Sequence, residues 1–175
     1  YIIIQTMLDF IRSFVTFISV LILSSCINDD PTEGVDLKVG DRIPDFSVNM
    51  NDGSTVTGES LRQGVSVIVF FHTGCPDCQV TLPEIQNIYD EYSGRGVKFA
   101  LISRDERSNS IDAFWEKAGL DMPYSPQKGR DVYELFATIT VPRVYICGDG
   151  IIKAIFTDNP NPKYEDMDAV LEGLI

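Results

Sequence analysis

Residues Val65–Phe71 read VSVIVFF, and four positions later Cys75-Pro76-Asp77-Cys78 opens a helical pattern. A run of branched and aromatic residues with no polar alternation is a strand covered on both faces. From Pro76 onward, Cys78, Leu82, Ile85 and Tyr89 recur at steps of 4, 3 and 4, which places them on one stripe of a helix ending near Ser93-Gly94. A buried strand feeding directly into a helix is half of a parallel crossover, so helices must pack against a sheet that is at least partly parallel. At 44% hydrophobic and 23% charged, 175 residues suffice for one such domain.

The pattern recurs with a strand over 97–103 and a helix over 110–118 that turns Ile111, Phe114 and Trp115 to the core. A short helix over 130–136 follows a proline-containing connection. Residues 48–50 and 54–56 flank Asn51-Asp52-Gly53 as a hairpin, because Asp-Gly suits the tight turns that join antiparallel strands. A second hairpin, over 143–147 and Ile151–Phe156 around Gly148-Asp149-Gly150, leads to a closing amphipathic helix over 164–174. The expected fold class is α/β, with a central mixed sheet flanked by helices.

Residues 13–23 form an apolar run of 11 bounded by Arg12 and by Ser24-Ser25-Cys26. That falls short of the roughly 20 residues a membrane-spanning helix needs and suits the apolar region of a secretory signal. A buried core helix is the competing reading, but the stretch lacks the polar face such a helix would want. Leu23-Ser24-Ser25-Cys26 resembles a bacterial lipobox, which implies cleavage before Cys26 and lipid on its sulfur and new amino terminus. A plain cleaved signal with a free Cys26 is the alternative. Tyr1 opens the chain and Met7 is the candidate start. The expected organisation is a signal over 1–25, a flexible polar tether over 26–36 and one domain over 37–175, held at a membrane of the bacterial cell envelope.

Asp9 and Arg12 cancel, so the net charge of −12, from 14 Lys and Arg against 26 Asp and Glu, belongs to the exported domain. It argues against nucleic acid as a partner and suits electropositive ones.

Of the cysteines at 26, 75, 78 and 147, two form a tight pair where the strand ends and the helix begins. Unpaired N–H groups and the positive end of the helix dipole favour a thiolate at Cys75. A thiolate is the attacking species in disulfide exchange, and Cys78, one turn on, can resolve the mixed disulfide. Pro76 suits the first turn, where its missing N–H would find no partner. Half of a zinc site has the same spacing, but with Cys26 lipidated only His72 and Cys147 are left to complete it. A static structural disulfide is a further alternative. No metal and no cofactor are expected.

Over residues 37–175 the chain is similar to the TlpA/ResA-like branch of the thioredoxin superfamily. Residues 39–46, VGDRIPDF, resemble the opening segment of that branch and of the peroxiredoxins. Residues 70–78 resemble its strand-to-active-site passage, Pro83 its helix-kinking proline, and Thr140-Val141-Pro142 the segment at its cis-proline. The resemblance implies a thioredoxin-like fold with an N-terminal β-hairpin and a central insertion. It also implies a cis Pro142 packed against the cysteine pair, Cys75 as nucleophile, Cys78 as resolving thiol and Val141 as the backbone partner of a substrate chain. Two positions depart from the pattern. Gly74 stands where the branch usually has Trp, which should leave the site more open and its neighbour less rigid. Val65–Phe71 holds no counterpart of the buried acid that assists the resolving cysteine in some relatives.

His72, the sole histidine, is either an imidazolium that makes the pair more oxidising or, preferred here, a polar strand-end residue. Asp77 pulls the thiol the other way. Cys147 reads as a small apolar filler; Asp105 and Glu106, just after a strand end, either line the edge of the active site or, preferred here, lie in a solvated loop. Peroxidase chemistry needs a hydroxyl three positions before the reactive cysteine, where His72 stands. The expected activity is a protein-disulfide reductase acting on cysteine-containing exported proteins and re-reduced by an unknown membrane electron donor. The alternative from another class is a binding lipoprotein on a thioredoxin scaffold, with a static disulfide or a copper-handling role for which a second histidine is missing.

Overall fold

The computed structural model describes residues 36–175. The expected signal, Cys26 and nearly all of the tether lie outside them. The first strands, β1 (Ser47–Asn49) and β2 (Thr55–Thr57), form an antiparallel hairpin as a two-stranded sheet of its own. Each strand is displaced by one residue from the sequence expectation. Met50 N–H donates to Ser54 O, and Asp52 Oδ1 accepts from both Ser54 N–H and its hydroxyl, so the turn absorbs Met50 and Ser54. A one-turn helix, α1 (Gly58–Leu61), follows. Gly58 is required there by close approach, since a Cβ would lie 2.1 Å from Pro44 O.

Five further strands are β3 (Val65–Phe71), β4 (Lys98–Ser103), β5 (Tyr124–Ser125), β6 (Arg143–Gly148) and β7 (Ile151–Phe156), ordered β5-β4-β3-β6-β7. β3 runs parallel to β4 and antiparallel to β6, so the sheet is mixed. All of β3 beyond Val65 is buried, which is why its sequence lacks alternation. Phe70 meets Tyr133, Phe136 and Tyr145, whereas Phe71, pointing to the other face, stacks on Trp115 with ring centroids 5.0 Å apart.

The helices are α2 (Pro76–Tyr92), α3 (Ser108–Ala118), α4 (Asp131–Glu134) and α5 (Tyr164–Glu172), with a 3₁₀ turn at Ser93–Arg95. α2 buries Cys78, Leu82 and Ile85 as the stripe requires, while Tyr89 is half-buried and Ile88 and Tyr92 complete the apolar face. The Tyr92 hydroxyl reaches the Asp168 and Glu172 carboxylates, at 2.6 and 2.9 Å, and ties α2 to α5. On α3, Ile111 and Trp115 are buried and Phe114 is half-buried against the core. The segment between β4 and β6, carrying α3, β5 and α4, is the expected central insertion. Helix ends differ from expectation by one or two residues: α3 starts at Ser108, α4 is shorter at both ends, and α5 stops at Glu172.

Candidate redox site

Cys75 is the N-cap of α2, in extended backbone, and Pro76 occupies the first helical position. The strand-to-helix turn is closed by Cys75 N–H donating to His72 O at 2.9 Å, and the helix begins with Gln79 N–H on Cys75 O at 3.0 Å. This geometry leaves the Cys75 sulfur half-buried at the helix start, where no backbone N–H of the first turn bonds to it. Cys78 is fully buried one turn later, and both are free thiols. Burial pushes the Cys78 thiol well above its ordinary value of 9.0, and neighbouring Cys75 adds to the rise. The His72 N–H on the Cys78 sulfur, at 3.5 Å, and the Arg104 charge oppose it without reversing it.

The Cys75 thiol lies 3.5 Å from Val141 O, and the Val141-Pro142 bond that follows is cis, as the resemblance implied. The segment leading to Pro142 is held from several sides. Arg130 Nη2 donates to Thr138 O at 2.5 Å, Arg104 Nη1 to Ile139 O at 3.2 Å, and the Tyr133 hydroxyl to Thr140 O at 2.8 Å. The two guanidinium groups lie over the Tyr133 ring, 5.3 and 5.8 Å from its centroid. Asp36 accepts from Thr138 N–H and its hydroxyl and pairs with Arg143 at 3.3 Å. Val141 and Pro142 are therefore set in place before any partner arrives.

The turn at 72–74 departs from the sequence reading. Gly74 N–H donates to His72 Nδ1 at 3.0 Å, and a Cβ on Gly74 would meet the His72 ring at 3.2 Å. The imidazole thus covers the glycine, and the expected loss of rigidity at Gly74 is offset by this bond. With Nδ1 accepting from Gly74 N–H, the His72 side chain is folded onto the turn and shapes it. Glu106 is also corrected: it is buried, not solvated, while Asp105 is exposed. Its Oε2 accepts Thr73 N–H at 2.8 Å, and its Oε1 accepts the Thr73 hydroxyl.

Asp77, half-buried, accepts from Asn161 Nδ2 at 3.0 Å and so is engaged by the loop after β7. Cys147 is fully buried in β6, as a filler should be. Sequence reasoning missed Arg104, Arg130 and Asp36, and gave Glu106 the wrong surroundings. The available signal was topological: parallel β3 and β4 end on the same edge, which sets residues 104–106 beside 72–75. Among the described residues, no cluster of His, Cys, Asp and Glu is arranged to hold a metal ion.

A mixed sheet with an N-terminal cysteine pair on α2 facing a cis-proline defines a thioredoxin-like domain, and the chain belongs to the AhpC/TSA family, which residues 39–155 match. Among curated relatives, thiol-disulfide oxidoreductase ResA of Oceanobacillus iheyensis is 30% identical, over 62% of this chain and 58% of that protein. ResA of Geobacillus kaustophilus is 24% identical over 82% of each. The chain thus spans about three-fifths of the length of the first of these relatives. The thioredoxin domain of a thiol-disulfide oxidoreductase from Bacteroides vulgatus superposes with a TM-score of 0.67 at 19% identity, covering 80% of this chain and 100% of that one. StoA from Bacillus subtilis gives 0.63 at 17%, over 74% and 97%. These likenesses establish the fold.

Proposed function

We propose that the protein is a thiol-disulfide oxidoreductase of the bacterial cell envelope that reduces disulfides in exported proteins. The observation that carries this reading is the asymmetry of the pair: Cys75 is half-buried at a helix start, and Cys78 is fully buried beside it. The Cys75 thiolate attacks one sulfur of a substrate disulfide, the substrate S–S bond breaks, and the departing thiolate takes a proton. Cys78 then gives up its proton and attacks the Cys75 sulfur, releasing the second substrate thiol. The substrate gains two electrons and two protons, and Cys75 and Cys78 become a disulfide that a membrane electron donor must reduce. Val141 offers its backbone, and Pro142 its ring, to the substrate chain. Burial holds the proton on Cys78 until it is called on to attack, and the choice of reduction over oxidation follows the likeness to ResA.

A potential near about −270 mV supports the reductant, and one near about −120 mV an oxidant. Cys78→Ser should accumulate mixed disulfides with envelope proteins and Cys75→Ser should not; trapping by neither variant rejects the assigned roles. Family membership alone would also admit a thiol peroxidase. His72 stands at the hydroxyl position such a site needs, and the neighbouring Thr73 hydroxyl is committed to Glu106. Peroxide consumption by the purified protein would reverse that judgement. The apolar run over 13–23 and Cys26 support a lipid anchor. Acylated Cys26 is the expected result in mass spectra of membrane-extracted protein, and an unmodified terminus rejects it.

A further inference from the structure

Glu106 follows β4 and has its backbone fixed from two sides: its carbonyl accepts the Ser103 hydroxyl at 3.0 Å and Gln127 N–H at 3.1 Å. Its side chain is turned inward, and the residue is 7% exposed. Both carboxylate oxygens serve one residue, Thr73, two positions before Cys75. The remaining polar atom of Thr73, its carbonyl, accepts from Gln79 Nε2 at 2.8 Å. Thr73 is therefore saturated, held by β4's extension on one side and by the first turn of α2 on the other.

A buried carboxylate is costly without a cation. Among the described residues, neither Lys nor Arg pairs with Glu106, and the His72 Nδ1 3.9 Å away is occupied as the acceptor of Gly74 N–H. Two donors, an N–H and an O–H, converge from Thr73, and a carboxylate can accept both on separate oxygens, whereas an amide would turn its NH₂ towards one of them. The hydrogen bonds of the Glu106 carboxylate do not extend to Cys78, which is bonded by His72 N–H.

We propose that Glu106 is a positioning residue of the redox site: through Thr73 it fixes the 72–75 turn and so sets where the Cys75 sulfur sits at the start of α2. This rests on the reading of Cys75 as the nucleophile. The geometry gives Glu106 the turn, not the proton of Cys78, as its object.

The test is the rate of Cys75 alkylation by iodoacetamide as a function of pH, read by peptide mass spectrometry on the reduced full chain. Glu106→Gln and Thr73→Val should each slow alkylation on the order of tenfold at a fixed pH and displace the profile, and the double variant should be no slower than the slower single. Thr73→Ser, which keeps both donors, should restore the wild-type profile. If Glu106→Gln does not fold, Thr73→Val and Thr73→Ser decide alone. Folded variants with the wild-type profile, additive effects in the double variant, or Thr73→Ser as slow as Thr73→Val would overturn the proposal. Alkylation needs no disulfide substrate, so a wild-type protein that fails to exchange disulfides would reject the functional reading while leaving this result to stand separately.

Discussion

Oxidation of the Cys75 and Cys78 pair releases two electrons, and the protons that leave with them depend on which thiols still hold theirs. Cys78 is fully buried, and that burial is the largest influence raising its thiol above 9.0. The sign follows from linkage: a group whose proton is held more tightly in the folded dithiol lends stability below its ordinary value and loses it as pH climbs towards the raised one. With both thiols protonated, two protons accompany two electrons and the reduction potential should fall by about 59 mV per pH unit. Once Cys75 ionises, a single proton remains in the balance and the slope should halve to about 30 mV per pH unit. It can reach zero only when Cys78 has also ionised, which its burial defers beyond the range where an ordinary thiol has lost its proton. Equilibration of the protein with glutathione or dithiothreitol buffers from about pH 6 to about 10, acid quenching and counting of maleimide adducts would give the curve. A potential that becomes independent of pH below about 10 would mean that Cys78 titrates like an exposed thiol, and the asymmetry on which the functional reading rests would be wrong.

Burial also pushes the Cys147 thiol up to about 12, against a smaller opposing effect of the Ser66 hydrogen bond, so stability should be lost as pH rises from about 9 towards 12. The full window corresponds to about 4 kcal/mol, and urea melts of Cys147→Ala should show a shallower alkaline decline than wild type; parallel declines would clear this thiol of responsibility. Gly74→Ala places a Cβ 3.2 Å from the His72 ring, which must shift by a few tenths of an ångström and strain its bond to Gly74 N–H, at a cost of up to about 1 kcal/mol. His72 is the sole histidine, so its single set of imidazole proton resonances reports the displacement directly, and unchanged resonances would contradict the packing described. Asp36→Ala removes the partner of Arg143 and the acceptor for Thr138. Because the carboxylate is nearly half exposed, the loss should be about 1 kcal/mol, or roughly 3 °C in the thermal midpoint. A larger fall, measured by calorimetry, would show that the segment before Pro142 depends on that contact more than its exposure allows.

What was readable in the chain was whatever depends on near neighbours. β3 announces itself because burial on both faces removes alternation, α2 because its stripe recurs at helical spacing, and both hairpins because Asp-Gly turns are local chemistry. β5, with two residues, and α1, with four, are too short to carry a period. Glu106 was misread for a different reason: a carboxylate after a strand is solvated by default, and its partner Thr73 lies thirty-three positions away, joined only by the parallel pairing of β3 and β4. For His72 a polar strand-end role was preferred over a charge beside the pair, but its acceptor role towards Gly74 became visible only once the turn had a shape. Pro142 was reached through resemblance, not through any local signal at 140–142.

The structure also divides the charge argument in two. At −12 the chain as a whole attracts electropositive partners, yet the segment beside the dithiol is held by Arg104, Arg130 and Arg143. Arg143 is paired with Asp36 and Arg130 with Glu134, whereas Arg104 has no carboxylate partner among the described residues, and its charge is felt at Cys78. At physiological salt the screening length is about 8 Å, so the summed negative charge acts on an approaching partner mainly at the surface it first meets, while the final geometry is set by the few groups around the sulfur. A cationic residue immediately beside a substrate's disulfide should then be disfavoured by Arg104, whose charge reaches the pair at Cys78, although the wider surface draws it in. Disulfides with a basic surround and a neutral or acidic residue next to the attacked sulfur should therefore be reduced faster than those flanked directly by Lys or Arg, and paired peptides differing at that one position would measure it. Equal rates for the two would remove Arg104 from substrate selection.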